Sequence, residues 1–325
     1  MKLGERHPLN PVLARELRQR MRSRWTPLVL TLYLGLLVLV AQLVYGAAEN
    51  NADRPFGPGI LAAASVGRSV FHMLLFFVLV MLCFLVPGLA ASAIAGERER
   101  QTLVPLQVTL LGPRHILAGK MGASLAFLVL LVVATLPLFG VALLVGGVSL
   151  WEILRGVAMV IAAGLTLASL SVAISTFVRR TQAATVLAYF VVLTMIVGTF
   201  IVYGMQGILL ARQGADPQAA VLLLNPLVAT ADLVGETANF TGGASPFDGL
   251  KSMIDNDDGG DAVGQALVGP DGREIVVGAP AQARQPGDPL LPFWLKALVL
   301  WAGLSLGTLA LAARRLRLPA PAGGQ

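Results

Sequence analysis

Residues 70–95 read VFHMLLFFVLVMLCFLVPGLAASAIA, and this stretch decides the fold class. It contains no acidic side chain, and His72 is its only basic one. An α-helix rises 1.5 Å per residue, so about 20 apolar residues cross the roughly 30 Å hydrocarbon core of a bilayer. The stretch therefore predicts a transmembrane helix, with a kink at Pro87 and Gly88.

Five further apolar runs of similar length lie on either side of this stretch. The six predicted spans cover residues 27–47, 70–95, 121–145, 153–178, 183–210 and 291–313. Only 13% of the 325 residues are charged, whereas a soluble domain carries about 25%. We therefore predict an all-α, polytopic integral membrane protein with six transmembrane helices. It forms a single transmembrane domain, 1–325, with five helices in 27–210, and it is not a soluble enzyme.

Basic residues alternate with the predicted spans. Seven Lys or Arg precede residue 27, four lie between spans two and three, two follow span four and three lie in the tail, 314–325. The long segment between spans five and six, residues 211–290, instead holds eleven acidic and four basic residues. Because cytoplasmic connections are enriched in Lys and Arg, we expect both termini in the cytoplasm and the long loop outside it. The predicted location is the cell membrane.

The head, residues 1–26, combines a repeated apolar position with many basic residues. Its apolar side chains recur every four residues and so share one face of a helix: Leu13, Leu17, Met21 and Trp25. Charged side chains fill much of the remainder, among them Arg15, Glu16 and Arg18. The pattern predicts an amphipathic helix that lies on the cytoplasmic membrane surface and binds membrane lipids. The alternative is a simple basic flank of the first span.

The predicted extracytoplasmic loop has two parts. Residues 219–234 (AAVLLLNPLVATADLV) are apolar, too short to span and broken by Pro226, so we expect a membrane-edge or re-entrant pair of helices. The remainder is rich in Gly, Asp and Pro, and a hairpin is predicted around residues 270–272. Its acidic run, 255–261, resembles a calcium loop. However, Ala266 stands where a closing Glu is required, so we predict a solvated loop.

The connection after span two, residues 93–120, reads AIAGERERQTLVPLQVTLLGPRHILAGK. It starts with alternating charges from Glu97 to Arg100 and continues with a semi-apolar stretch, 102–111, before a Gly-Pro break. A cytoplasmic helix of this kind is too apolar for a free linker and too short to span the membrane. We therefore expect it to pack on a partner. The alternative is an interfacial helix that binds only lipid.

This connection resembles that of the ABC-2 type permease family, the transmembrane subunits of certain ATP-binding-cassette transporters. The resemblance rests on the Ala-rich end of span two, the charged run from Glu97 to Arg100, and the Gly119-Lys120 pair that opens span three. The head and the Asn-Pro-Leu motif at 225–227 fit the same family. One departure is Gln101, which replaces the family's usual Gly.

The resemblance implies a permease subunit that forms a translocation path and couples it to ATP hydrolysis by a separate ATPase subunit. It also implies a second permease subunit, identical or different. The connection after span two would contact the ATPase. The residues implied in this coupling role are Glu97, Arg98, Glu99, Arg100, Thr102, Leu103, Thr109 and Leu111.

The stretch 112–120 (GPRHILAGK) bears only a superficial likeness to a phosphate-binding loop. Six residues rather than four separate its glycines, and Met121 stands where a Ser or Thr must reach Mg²⁺. We therefore expect no nucleotide binding by this chain, and no catalytic residue, metal or cofactor is predicted. The net charge of +6 comes from the ends of the spans rather than from a basic stripe interleaved with aromatics. No nucleic-acid partner is therefore expected.

Several polar or small residues lie within the predicted spans. Lys296 is a candidate pathway residue, although snorkelling to the outer surface is the alternative. Glu152 and Arg155, at the start of span four, are expected to pair with each other. A small, weakly polar face suited to close helix contact is predicted from Gly164, Ala168, Ser171 and Ser175.

Three other functions compete with that of an ABC permease. An intramembrane enzyme would need convergent catalytic side chains at membrane depth, and the spans show none. A secondary transporter usually shows internal repeats or broken helices with ionisable midplane residues, and no convincing repeat is visible. A membrane scaffold or anchor for a partner complex is the third alternative.

Overall fold

A computed structural model describes residues 25–50, 60–101, 113–211, 218–235, 245–255, 266–268, 274–276 and 291–317. Within them, the helices are α1 Trp25–Asn50, α2 Ile60–Ala90, α3 Ser92–Glu99, α4 Pro113–Val145, α5 Leu150–Phe177, α6 Thr181–Leu193, α7 Thr199–Ala211, α8 Pro226–Gly235, α9 Asp248–Asp255 and α10 Phe293–Arg317. A π-helical segment, Thr194–Gly198, joins α6 to α7, and a 3-10 helix, Ala219–Leu224, precedes α8. The strands are β1 Ala266–Val268 and β2 Glu274–Val276.

Some predictions fall outside the described residues. The proposed interfacial helix does so up to Met21, and Trp25 is the first residue of α1. The later half of the proposed coupling connection, with Thr102, Leu103, Thr109 and Leu111, also lies outside them, as does most of the acidic run 255–261.

Among the described residues, six helices are long and apolar enough to cross a membrane, which confirms the predicted six spans. They are span one Pro27–Ala47, span two Ala64–Glu99, span three Leu117–Val145, span four Leu150–Phe177, span five Thr181–Leu210 and span six Phe293–Arg315. Spans two and four are the most buried, while spans one, five and six turn most of their surface outward. The core therefore lies along spans two and four.

Close packing of span four against its neighbours depends on its small residues. A Cβ added at Gly164 would lie 2.3 Å from Leu128 Cδ1 of span three, so any larger residue there would force the Leu128 side chain to shift. Ala168, Ser171 and Ser175 on the same face are buried, which confirms the predicted small face. In a bilayer, where lipid is as apolar as Leu, such close approach supplies the packing that holds helices together.

The turn between spans three and four is clamped against span two. Its two glycines have positive φ angles, +104° at Gly146 and +80° at Gly147, a region that favours glycine. A Cβ added at Gly67 of span two would lie only 2.1 Å from Gly146 O. Arg68 Nε donates to Gly147 O at 3.1 Å. Span two and this turn therefore meet backbone to backbone.

The predicted pairing of Glu152 with Arg155 is wrong. Glu152 closes a capping box, because its carboxylate accepts from Ser149 N at 2.7 Å while its own N–H donates to Ser149 Oγ. Its other oxygen lies 3.8 Å from Arg68 Nη2 of span two. The Arg155 guanidinium instead lies 5.2 Å from the centre of the Trp151 ring. Helical spacing placed the two residues near each other, but the backbone cap and span two offered better partners.

The segment after span five forms a pair of short helices, as predicted. The 3-10 helix and α8 meet at Asn225, which is fully buried. The pair is attached to span six, since Trp301 Nε1 donates to Leu223 O at 2.9 Å and Trp294 N donates to Asp232 Oδ2 at 2.8 Å. Whether the pair enters the membrane remains a prediction.

The rest of the long loop contains α9 and the two strands β1 and β2 in its described part. Phe247, just before α9, packs edge-on against the rings of His72 and Phe76 of span two. Strands β1 and β2 pair antiparallel, with Leu267 opposite Ile275. This pairing confirms the hairpin predicted around residues 270–272.

Candidate functional site at the arginine-rich end

Five spans bring their ends together on one side of the bundle. Spans two, four and six end there, each with arginines in or just after its last turn, and spans three and five begin there. We call this side the arginine-rich end. Helix α3 lies at its centre and carries the charged run from Glu97 to Arg100.

Helix α3 is separated from the rest of span two by a break at Ala91. The break follows Pro87, whose carbonyl accepts from Ala91 N at 2.9 Å. It lies three residues beyond Gly88, within the same region as the kink predicted from the sequence. A new helix start leaves free N–H groups in its first turn. Ser175 Oγ of span four accepts two of them, from Ile94 N at 3.0 Å and Ala95 N at 2.9 Å. One buried serine therefore fastens the start of α3 to span four.

Arg98 fastens the other end of α3 to span four. Its guanidinium donates to Val178 O at 3.3 Å and to Thr176 O at 3.2 Å. These carbonyls lie at the end of α5, where the last C=O groups of a helix have no partner within it and carry partial negative charge. Arg98 therefore caps span four from span two.

Glu99 makes the matching contact with the start of span five. Its carboxylate accepts from Thr181 N at 3.1 Å and from the Thr181 hydroxyl. Thr181 is the first residue of α6, where N–H groups are free and a negative charge is favourable. Glu99 thus serves as an N-cap supplied by another helix.

Glu97 joins α3 to span three. Its Oε1 lies 2.9 Å from Lys120 Nζ, and the Lys120 side chain is only 3% exposed. Since α4 begins at Pro113, Lys120 lies about two turns inside a helix. This placement differs from the Lys of a phosphate-binding loop, which lies at a helix N-terminus.

Helix α3 ends in a left-handed residue. Arg100 N donates to Gly96 O, Gln101 N donates to Arg98 O, and Gln101 has a φ of +57°. This position after a helix is usually glycine because a Cβ is unfavourable there. Of the residues that the structure describes, Gln101 is the one non-glycine residue with a positive φ, and glycine at this position would relieve the strain.

The structure brings together the described half of the predicted coupling set. Glu97, Arg98 and Glu99 each contact a different span, and the side chain of Arg100 is exposed. Lys296, the candidate pathway residue, lies apart from them, half-buried in the first turn of span six. It belongs to the opposite end of the bundle.

Sequence reasoning missed three partners of α3. Lys120 was noted only as part of a family pattern, Ser175 only as a small residue, and Thr181 not at all. Each lies roughly 20 to 80 positions from its partner along the chain, and periodicity carries no signal over that distance. The sequence offered one hint, because Lys120 lies at the start of an apolar span and a lysine buried in a span needs a carboxylate nearby.

Comparison with known proteins assigns the family. The family model described as ABC-2 family transporter protein matches residues 11–281, most of the chain and all of spans one to five. No curated protein matches the sequence at a significant level. Members of this family are membrane transport components that typically work with an ABC ATPase subunit. With six spans and this match in agreement, the chain belongs to the ABC-2 family of transporter proteins.

Proposed function

We propose that this chain is the transmembrane permease subunit of an ABC transporter, that its arginine-rich end is cytoplasmic, and that α3 begins the element that a separate ATPase subunit moves. Two permease subunits would form the translocation path. The observation that carries the proposal is the anchoring of α3. Three successive charged residues tie it to spans three, four and five.

This anchoring gives a physical route for coupling. A helix held on three sides cannot shift alone, so a force on α3 moves the ends of spans three, four and five together. The break at Ala91 allows α3 to tilt with respect to the rest of span two, since one helical hydrogen-bond pattern ends there and another begins. Closure of two ATPase subunits would thus alter the packing of four spans at once.

The charged residues of α3 differ in how strongly they are held by other spans, and we assign them different roles on this basis. Removing one member of a buried ion pair costs roughly 3–5 kcal/mol, so the pair of Glu97 with the buried Lys120 holds α3 in place. Glu99 is exposed and its hydrogen bonds contribute less. Arg100 is exposed at the tip of α3. We therefore assign Arg100 to contact with the ATPase, and Glu97 to anchoring.

The proposal is tested by affinity capture of the tagged chain from native membranes, followed by ATP hydrolysis measurements. We expect an ABC ATPase to co-purify, and Arg100→Glu to reduce its capture or its permease-stimulated hydrolysis at least several-fold. Arg155→Glu, a charge reversal at the opposite end, is the matched control and should change neither. Capture and stimulation that survive Arg100→Glu unchanged would refute the coupling role. Stable capture of other proteins and no ATPase would favour a membrane anchor.

Lys296 remains a candidate pathway residue within this proposal. It lies in the first turn of span six, at the end opposite to α3. Lys296→Gln should lower transport without changing capture of the ATPase, because the substitution is far from α3. Equal transport by the wild-type protein and the Lys296→Gln variant would mean that Lys296 snorkels to the outer surface and is not part of the pathway.

A further inference from the structure

Four arginines at the arginine-rich end have no assigned role in anchoring α3. Arg179 and Arg180 lie in the turn between spans four and five, and Arg314 and Arg315 lie in the last turns of span six. All four are exposed, and within the described part of the chain none forms an ion pair with an acidic residue. Arg98 differs from them because its guanidinium donates hydrogen bonds to two backbone carbonyl oxygens.

The register of spans four and six places the two arginine pairs within about one helical turn of each other along the bundle. Ser305 Oγ lies 3.4 Å from Thr166 Oγ1, and both helices run from that contact toward the arginine-rich end. Ten residues further along, Arg315 is level with Thr176, so both pairs flank the end of span four. Arg98 lies within electrostatic range of both Arg179 and Arg315, which places members of the two pairs near one central charge.

This concentration of positive charge is poorly compensated. The nearest described carboxylates are Glu97, which is bound to Lys120, and Glu99, which caps Thr181 and lies within electrostatic range of Arg180. Like charges held close together repel one another unless a counter-charge lies between them. The cluster therefore favours an external anion.

The surroundings identify the kind of anion. Immediately on the membrane side of the arginines, the helices present apolar side chains outward, among them Phe177 at 52% exposure and Leu311 at 55%. A ligand here would meet apolar surface next to several guanidinium groups, which bind phosphate oxygens in pairs. An anionic phospholipid has this combination, since its acyl chains lie beside its phosphate. A free phosphate or an acidic protein surface has no acyl chain to contact the apolar side chains.

We propose that Arg179 and Arg180 together with Arg314 and Arg315 form a binding site for the phosphate of an anionic phospholipid, whose acyl chains lie along spans four and six. The site does not depend on the coupling role of α3. It would hold the ends of spans four, five and six next to one another. Basic clusters at the ends of membrane helices bind such headgroups in general.

The test uses the purified full-length chain in a neutral detergent, titrated with phosphatidylglycerol, phosphatidylcholine or inorganic phosphate. Bound lipid is counted by native mass spectrometry, and thermal unfolding is followed in parallel. We expect phosphatidylglycerol to bind and to raise the unfolding temperature, while phosphatidylcholine and inorganic phosphate do neither. Each basic residue near a membrane surface contributes about 1 kcal/mol to lipid binding, so neutralising a pair should weaken binding roughly 30-fold.

The variants are Arg179→Gln/Arg180→Gln and Arg314→Gln/Arg315→Gln, with Arg155→Gln as the control at the opposite end. Loss of binding in both double variants, retention in the control and partial rescue by Lys at the same positions would support the site. Equal phosphatidylglycerol binding by all proteins would overturn it. Equal stabilisation by inorganic phosphate would overturn the lipid assignment. If the double variants keep the lipid and lose a captured ATPase, the cluster is a protein-docking surface instead.

Discussion

Lys120 is the residue on which the arrangement around α3 depends most. Its ammonium group is almost completely buried and is paired with Glu97 across two spans. A buried charge is tolerated only with a partner, and loss of one partner leaves the other charge uncompensated. The pair therefore fixes α3 to span three more firmly than any exposed contact in the described residues.

Lys120→Met is expected to destabilise the protein by up to roughly 3–5 kcal/mol, because the partly buried Glu97 carboxylate would lose the ammonium group that lies 2.9 Å from it. Thermal unfolding in detergent measures the effect. The double variant Glu97→Leu/Lys120→Met should recover much of the loss, since a well-packed apolar pair of similar volume often replaces a buried ion pair without cost. A double variant as unstable as Lys120→Met would show that loss of the ion pair is not the cause of the instability of Lys120→Met.

Gln101→Gly is expected to stabilise the end of α3. Gln101 has a φ of +57°, and a side chain in this left-handed region costs roughly 1–2 kcal/mol that glycine avoids. Part of the gain is offset because glycine is more flexible when unfolded. The unfolding temperature should therefore rise modestly, whereas Gln101→Ala, which keeps a Cβ, should not raise it. A lower unfolding temperature for the glycine variant would contradict the left-handed assignment.

At the residue scale, the sequence predicted a charged element at the end of span two, but not the partners of its side chains. Alternating Glu and Arg at a span end indicated a charged element near the surface. The partners could not be derived, because Ser175 and Thr181 approach α3 only once spans two and four have packed. The pairing of Glu152 with Arg155 was wrong for the same reason, since Arg68 reaches Glu152 from another span.

At the element scale, span five contains an irregular segment that forms hydrogen bonds with a residue just before α8. The π-helical segment Thr194–Gly198 interrupts the regular hydrogen-bond pattern of the span. Asn225 Nδ2 donates to Ile196 O at 3.1 Å and to Thr199 Oγ1 at 3.0 Å. The same side chain caps α8, because its Oδ1 accepts from Leu227 N at 3.0 Å. Asn225 therefore attaches the short helix pair to the weak point of span five.

Asn225→Leu is expected to destabilise the protein by about 2–4 kcal/mol, because it removes the cap of α8 and the two hydrogen bonds that Asn225 Nδ2 donates to span five. Asn225→Asp separates the two effects. It keeps the oxygen that caps α8 and loses the donors to span five, so it should also be destabilising. Native-state proteolysis in the segment after span five would report the loosening, and wild-type resistance in both variants would contradict the assigned contacts.

Gly67→Ala is expected to be destabilising by roughly 1–3 kcal/mol, because the added methyl group would overlap the backbone of the turn between spans three and four. Gly46→Ala in span one is the matched control, since an added Cβ there has no atom within 4 Å. Thermal unfolding of the two variants compares them directly. Equal stability of both would mean that span two and the turn do not meet closely.

The elements themselves were largely predictable, and their internal defects were not. Span length follows from the thickness of the bilayer, which a single sequence already reflects. The short helix pair was predicted because Pro226 breaks an apolar run, and the hairpin because turn residues fall at 270–272. The π-helical segment was not predicted, and its contact with Asn225 comes from a residue beyond the end of the same span.

At the scale of the whole molecule, the six spans form a core around spans two and four with an organised arginine-rich end. Span one joins this core through the buried pair of Tyr33 and Thr135, whose oxygens lie 2.8 Å apart. The number of spans and the family follow from the sequence and are confirmed. The orientation in the membrane rests on the distribution of Lys and Arg and remains a prediction.

Cross-linking from Arg100 is the sharpest test of the proposed contact between α3 and a separate ATPase at the arginine-rich end. Cys83, the single native cysteine, is buried and is replaced by Ser. Arg100→Cys and, as a control at the opposite end, Arg155→Cys are then compared in native membranes with a bifunctional thiol-to-amine reagent. We predict a cross-link from position 100 to an ABC ATPase, with a yield that changes when ATP is added, and none from position 155. No ATPase adduct at position 100, or equal adducts at both positions, would show that α3 does not contact the ATPase.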